Sequence, residues 1–239
     1  MPDVRPLSAR SVILSLMLGA HPRGMAAHEL TRAGEYFDVS PATVRVALTR
    51  AVASDELRRE DSTYFLGSRL LARYERQEQH AAEVAWDGSW EMAVVTATSR
   101  PGGERASLRD ALARQRLAEL REGVWMRPAN LGRAPAYADA AVLRTFRATP
   151  HEDPASLAAS LWDLPGWAAE THARLALLET TTEPAARLAV AAHLVRHLAD
   201  DPLLPTELWP SGWPSQHARE VYAAYQRELH TLSTREFTA

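Results

Sequence analysis

Arg45, Val46, Thr49 and Arg50 fall within one stretch, Ser40-Pro-Ala-Thr-Val-Arg-Val-Ala-Leu-Thr-Arg50, whose residue types suit a DNA major groove. An arginine guanidinium can take guanine O6 and N7 together, and a valine or threonine methyl packs on the thymine methyl. Ser40 is a strong N-cap residue and Pro41 suits the first helical position, so a helix begins here. At about 100° per residue, Val44, Ala47, Leu48 and Ala51 share one side. Ala42, Arg45, Val46 and Thr49 share the other, with Arg50 at its edge. An ordinary solvated face would hold more Glu, Gln and paired charge. Arg45, Val46 and Thr49 are therefore the expected base readers. Ser40, Thr43, Arg50, Arg58 and Arg59 are expected to hold phosphates and set the register.

Such a helix works only if other elements present it. Upstream, Ser11-Val-Ile-Leu-Ser-Leu-Met-Leu18 reads as a buried helix ending at Gly19. From Ala26 to Phe37, Leu30, Ala33 and Phe37 recur at helical spacing, and Asp38-Val39 is a short turn into the Ser40 helix. Downstream, Leu57-Arg-Arg-Glu60 and Thr63-Tyr-Phe-Leu66 flank Asp61-Ser62, a hairpin signal. Three helices and a hairpin predict a winged helix-turn-helix over residues 1–67, with its third helix in the major groove and its wing along the backbone.

Ser68 to Ala85 is polar and helix-prone, with Leu70, Leu71, Tyr74, Ala81 and Val84 interspersed, and is expected to be a connector helix. Residues 86–150 read differently. The turn Trp86-Asp-Gly-Ser-Trp90 leads to a strand at Glu91–Ala97. A helix over about Arg105–Leu117 follows, then strands at Gly123–Arg127 and Val142–Arg147. This β-α-β-β order predicts a small ferredoxin-like layer. From Asp153 the pattern is helical, near 155–163, 165–179, 184–199 and 215–232, broken by Asp201-Pro-Leu-Leu-Pro205 and Trp209-Pro-Ser-Gly-Trp-Pro214. The expected fold class is α+β, with a helical C-terminal domain over 151–239.

The 239 residues contain no cysteine, which excludes disulfides, thiolate metal sites and cysteine nucleophiles. No apolar run approaches the ~18 residues of a membrane span, and no signal peptide is evident, so a cytoplasmic protein is expected. All 27 basic residues are arginine, the mark of a GC-rich genome. Net charge is −3, but its distribution is uneven. Residues 1–80 hold 11 Arg against 10 acids, residues 81–150 hold 10 against 8, and residues 151–239 hold 6 against 12. The acidic last third is expected to serve regulation or assembly rather than DNA contact.

Quoted in order, several motifs carry a family resemblance along nearly the whole chain. They are Val39-Ser-Pro-Ala-Thr-Val-Arg-Val-Ala-Leu-Thr-Arg50, the Tyr64 wing, Trp86-Asp-Gly-Ser-Trp90, Gly123-Val-Trp-Met-Arg-Pro128, Leu161-Trp-Asp-Leu164, Asp201-Pro-Leu-Leu-Pro205 and Trp213-Pro214. The sequence resembles the PaaX-type bacterial transcriptional repressors. That resemblance implies a winged-helix domain, a ferredoxin-like middle domain and a helical C-terminal domain. It also implies homodimeric repression of catabolic genes at a double-stranded DNA operator, relieved by an aryl-coenzyme A thioester such as phenylacetyl-coenzyme A. Two features depart from the family. The wing tip reads Glu60-Asp61-Ser62, where glycine and basic residues are usual, and the stretch between Pro128 and Phe146 is short for a second β-α-β half.

Seven tryptophans all lie outside the winged helix. Core and interface filling explains most of them, while one or two can line a flat pocket for an aromatic acyl group. Trp125, Trp162 and Trp209 are the candidates for that acyl part, with His193 nearby and Arg127 and Arg196 for the anionic part. His193 and His197 stand four apart on a helix, but no carboxylate completes a third metal-ligand position, so no metal is expected. No cofactor is implied either. There is no Gly-x-Ser-x-Gly, phosphate-binding glycine loop or Gly-x-Gly-x-x-Gly. Middle domains of this kind resemble CRISPR-associated ribonucleases, which need an aspartate at the first strand's end. Here that strand runs out as Val95-Thr-Ala-Thr-Ser-Arg100. The alternatives are a metal-dependent nuclease built on the middle domain and an architectural DNA binder without effector.

Overall fold

In the computed structural model, the described residues are 5–71, 84–97, 102–133, 141–235 and 237. They form an α+β fold with two small antiparallel sheets, and the chain divides into two compact units. The first unit gathers Met1–Glu78, Ala169–Ala199 and Pro214–Ala239; the second gathers Gln79–Ala168 and Asp200–Trp213.

In the first unit, α1 (Ala9–Ala20), α2 (Ala27–Tyr36) and α3 (Pro41–Ala53) pack on one another. Helix α1 starts two residues earlier than the apolar run suggests, because Ser8 accepts from the Ser11 N–H at 3.2 Å. It also continues through Gly19 to Ala20. Helix α3 buries Val44, Ala47, Leu48 and Ala51, the four residues of the expected core face. Strands β2 (Leu57–Glu60) and β3 (Thr63–Leu66) pair with Glu60 opposite Thr63, so Asp61 and Ser62 form a two-residue loop. Asp61 takes φ 52°, a left-handed conformation that aspartate tolerates better than most side chains. A third strand, β1 (Met25–Ala26), pairs with β3 on its other side. Two residues carry no periodicity, so β1 has no signal in the sequence. Of the expected connector, residues 68–71 are helical and Leu70 is buried; residues 72–83 lie outside the described residues.

The second unit is built on a four-stranded sheet in the order β5-β6-β4-β7, with every neighbour antiparallel. Strands β4 (Trp90–Val95), β6 (Val124–Pro128) and β7 (Leu143–Ala148) stand where expected, and α4 spans Gly102–Arg114. The helix does not reach Leu117. Arg116 adopts φ 66°, the chain reverses, and Ala118–Arg121 forms β5 against β6. Ala-Glu-Leu-Arg has helical local preference, and cross-strand pairing overrides it. Between β6 and β7 the described residues contain no second helix.

The sheet has two apolar faces. On one, Ala93, Trp125 and Leu143 pack with Leu112 and Leu117. On the other, Trp90 and Met126 are covered by α5 (Pro154–Leu161), by Leu164, and by Leu204, Leu208 and Trp213. Trp86, Trp162, Trp167 and Trp209 pack around this second cluster, so six of the seven tryptophans share it. The rings of Trp167 and Trp213 stack with centroids 4.5 Å apart. The turn before β4 is fastened by Asp87, which accepts from Ser89 and Arg147; these hydrogen bonds hold its carboxyl down at about 2.

The helical stretch 151–239 therefore does not stand as one body. Helix α5 and residues 200–213 join the sheet, where they help to cover Trp90 and Met126. Helix α7 (Pro184–Leu198) and helix α8 (Ser215–Arg235) belong to the first unit, where α8 packs on α1 and on α7. Helix α6 (Leu164–Thr180) begins in the second unit and finishes in the first. None of the described helices is long and apolar enough to cross a membrane.

Trp213 is the point where the 200–213 segment enters the tryptophan cluster. Trp213→Ala should remove about 3–5 kcal/mol of stability, read by urea unfolding followed through tryptophan fluorescence. A loss below about 1 kcal/mol would mean the segment is not part of this core.

Candidate functional site

All eight residues expected at DNA are exposed: Ser40, Thr43, Arg45, Val46, Thr49 and Arg50 on α3, and Arg58 and Arg59 on β2. Helix α3 owes its position to close packing beneath it. A Cβ added at Gly34 of α2 would collide with the Val44 side chain, so only glycine lets the two helices come this near. Between them, Phe37 closes α2 and is buried, and Asp38 turns the chain with φ 58°. The Val39 N–H then donates to Gly34 O at 2.8 Å.

The start of α3 is tightly specified. Ser40 Oγ accepts from the Thr43 N–H at 3.4 Å and lies 2.8 Å from Thr43 Oγ1, while Pro41 fills the first turn. Thr49 Oγ1 donates to Arg45 O at 3.0 Å, which commits its proton to the helix and leaves oxygen lone pairs and a methyl. Val46 keeps 50 % of its surface exposed, unusual for valine on a helix whose opposite side is fully buried. Among the described residues, neither Arg45 nor Arg50 has an acidic partner. The face thus offers two uncommitted guanidinium groups beside an apolar side chain.

The two hairpin arginines are differently placed. Arg58 stands opposite Phe65 and Arg59 opposite Tyr64, so successive side chains point to opposite faces of the ribbon. Arg58 pairs with Glu60 and sits over the Phe65 ring, 4.5 Å from its centroid. Arg59 Nε donates to Asp61 O at 2.6 Å and lies 5.8 Å from the Tyr64 centroid. Arg58 must release Glu60 to meet a phosphate with the same nitrogen, whereas the bond from Arg59 uses only its Nε.

The six ligand candidates divide between the two units, four in the second and two in the first. Trp125 is 6 % exposed in the core under α4. Arg127 is fully buried: its Nε donates to Pro128 O at 3.0 Å, and its Nη2 to Asn130 Oδ1 at 2.8 Å and Leu203 O at 3.0 Å. It is a strut between β6 and the 200–213 segment, committed inside the fold. Trp162 and Trp209 are half-buried on the opposite sheet face, and Trp209 Nε1 donates to Leu204 O at 2.8 Å. His193 (half-buried) and Arg196 (exposed) lie on α7 in the other unit. His197 is buried, with Nε2 2.8 Å from Thr171 Oγ1 and Nδ1 3.6 Å from Glu170 Oε2. At the end of β4, the Thr96 and Ala97 N–H groups both donate to Val142 O.

Two family profiles match the chain. The one described as PaaX protein central Cas2-like domain covers residues 83–149, and the one described as PaaX-like protein C-terminal domain covers residues 167–239. The chain belongs to the PaaX family. A solved structure, Uncharacterized protein Rv0674 from Mycobacterium tuberculosis, is similar to this PaaX-family chain at 41% identity and a TM-score of 0.88, over 95% of this chain and 97% of that one. No curated protein matches. PaaX domains are typical of regulators rather than enzymes.

The residues that hold α2 in place escaped the sequence reading. Glu29 Oε2 accepts the Ala26 N–H at 2.6 Å, closing the first turn of α2, and Glu29 is itself paired with Arg23 at 3.0 Å. An acid three positions after a helix start is a recognisable signal; its burial is not.

The α3 cap gives a direct test of this local build. Ser40→Ala should cost about 1 kcal/mol, measured by chemical denaturation, and should raise hydrogen exchange at the Thr43 amide. Unchanged exchange there would place the start of α3 elsewhere.

Proposed function

We propose that the protein is a sequence-specific DNA-binding transcriptional regulator, a repressor, working as a cytoplasmic homodimer. Residues 1–67 are read as a winged helix-turn-helix and α3 as its recognition helix. The observation that carries this is the outer face of α3: Ser40, Thr43, Arg45, Val46, Thr49 and Arg50 are all exposed while the inner face is buried. Arg45, Val46 and Thr49 read base edges. Ser40, Thr43 and Arg50, with Arg58 and Arg59 on the wing, meet phosphates. The strand order and single α4 of the middle sheet support a ferredoxin-like layer that lacks part of its second half.

One winged helix spans too few base pairs to be selective in a genome, which favours two copies on an inverted repeat. Footprinting combined with light scattering tests this, and a monomer protecting one half-site would overturn it. The effector is proposed to be an aryl- or acyl-coenzyme A thioester. Trp162 and Trp209, with exposed ring area on the tryptophan cluster, are the residues best placed to report it. A tenfold loss of DNA affinity requires about 1.4 kcal/mol of coupling. Fluorescence titration with several thioesters, paired with gel shifts, reads both ends. No response at millimolar concentration would leave a DNA binder without this effector.

Arg45→Ala should cost about 1–3 kcal/mol on the selected site and flatten base preference there. Arg58→Ala and Arg59→Ala should weaken all duplexes alike and lower the salt slope by about one unit per lost phosphate contact. Preserved base preference in Arg45→Ala would put the recognition surface on another face. Cleavage of labelled DNA or RNA with magnesium or manganese would favour a nuclease instead.

A further inference from the structure

Helix α8 and the residue beyond it engage the DNA-reading helices at several points far apart in sequence. Gly19 of α1 faces Leu229, where an added Cβ would lie 3.0 Å from Leu229 Cδ2. His230 Nδ1 is 2.8 Å from Gly19 O, near the end of α1. The loop between α1 and α2 is held next. Arg23 Nη2 donates to Ser233 O at 3.0 Å while its Nη1 pairs with Glu29, the residue that closes the first turn of α2. At the opposite end of α2, the buried ring of Phe237 meets Tyr36 edge-on with centroids 5.8 Å apart. Tyr36 meets Phe37 at 5.0 Å, directly before the turn into α3.

Both ends of α2 are therefore tied to the last segment of the chain. One tie runs Ser233–Arg23–Glu29–Ala26 and the other Phe237–Tyr36–Phe37. Helix α2 is the element against which α3 is seated through Gly34 and Val44. We propose that Leu229, His230, Ser233 and Phe237 are a positioning part of the DNA-reading module, and that their grip on α2 sets how α3 is presented to DNA. Resting on the DNA-binding reading, this assigns Phe237 and Arg23 as positioning residues, although neither belongs to the outer face of α3. It also supplies a route inside the first unit by which a change in the C-terminal helices alters DNA affinity.

The two ties differ in chemistry, which allows independent variants. Phe237→Ala removes the aromatic contact and leaves the Arg23 bridge. Arg23→Gln breaks the pair with Glu29 and leaves the aromatic contact. The probe is a duplex enriched from random sequence by the full-length wild-type protein, with an unselected duplex as control. At a temperature where circular dichroism shows each variant folded, both should bind the enriched duplex at least fivefold more weakly. Binding to the unselected duplex should change less than twofold, because phosphate contacts do not depend on the exact seat of α3. Amides of residues 34–40 should exchange faster in the free variants, with the β4–β6 pair unaffected. A purely structural loss would instead weaken both duplexes together. Should Phe237→Ala fail to fold, Phe237→Leu is read in its place. Enriched-duplex affinity within twofold of wild type, or unchanged exchange at residues 34–40, overturns the grip alone. Failure of the wild-type protein to enrich any duplex overturns the DNA-binding reading and this inference with it.

Discussion

Contact between Gly34 and Val44 is the constraint on which the candidate site depends. Two helices can approach so closely only where one lacks a side chain, and that approach buries the inner face of α3 completely. Burial of Val44, Ala47, Leu48 and Ala51 leaves their helix no freedom to roll. The outer residues then have fixed bearings, which the proposed reading of base edges would require, since misplacement by an ångström loses a bidentate contact. The buried Phe37 and the left-handed Asp38 complete the turn that sets the angle between the helices.

Arginine serves three separate purposes here, and burial separates them. On α3 it stands in solvent, with no acidic partner among the described residues. On the β2–β3 hairpin it is occupied by a carboxylate, a carbonyl and two aromatic rings, so its charge is partly spent within the hairpin. In the second unit Arg127 is enclosed and saturates backbone and amide oxygens, a use in which permanent charge and a planar fork give rigidity. Absence of lysine makes arginine do all three, so residue type alone does not reveal which role a position has.

The two units also divide the apolar residues by kind. The first relies mainly on aliphatic side chains between helices, with single rings such as Phe37, Tyr225 and Phe237 among them. The second concentrates tryptophan on one sheet face, where large flat rings bridge between strands and covering segments that are themselves short. Proline-rich 200–213 has little regular structure, and the wide rings of Trp209 and Trp213 let it adhere with few residues.

Periodicity, caps and turn chemistry determined much of this protein by themselves. Ser40 and Pro41 specify where α3 begins, and the spacing of Val44, Ala47, Leu48 and Ala51 specifies which side is buried, because both are local effects within a few residues. The same holds for the hairpin at Asp61-Ser62 and for the helices of the last third, whose Asp153-Pro154 and Glu183-Pro184 starts are written in adjacent residues. Strands β1 and β5 were decided only by tertiary pairing with β3 and β6, since two and four residues of weak preference carry no pattern of their own. The burial of Trp125 and Arg127 was likewise decided by what packs against β6, the α4 side for one and Leu203 for the other. Above all, residues separated by about two hundred positions meet at α2, and no local signal announces that Phe237 will lie against Tyr36. Such a contact is favourable only after both segments have folded, so its energy appears nowhere in the chain until the helices are packed.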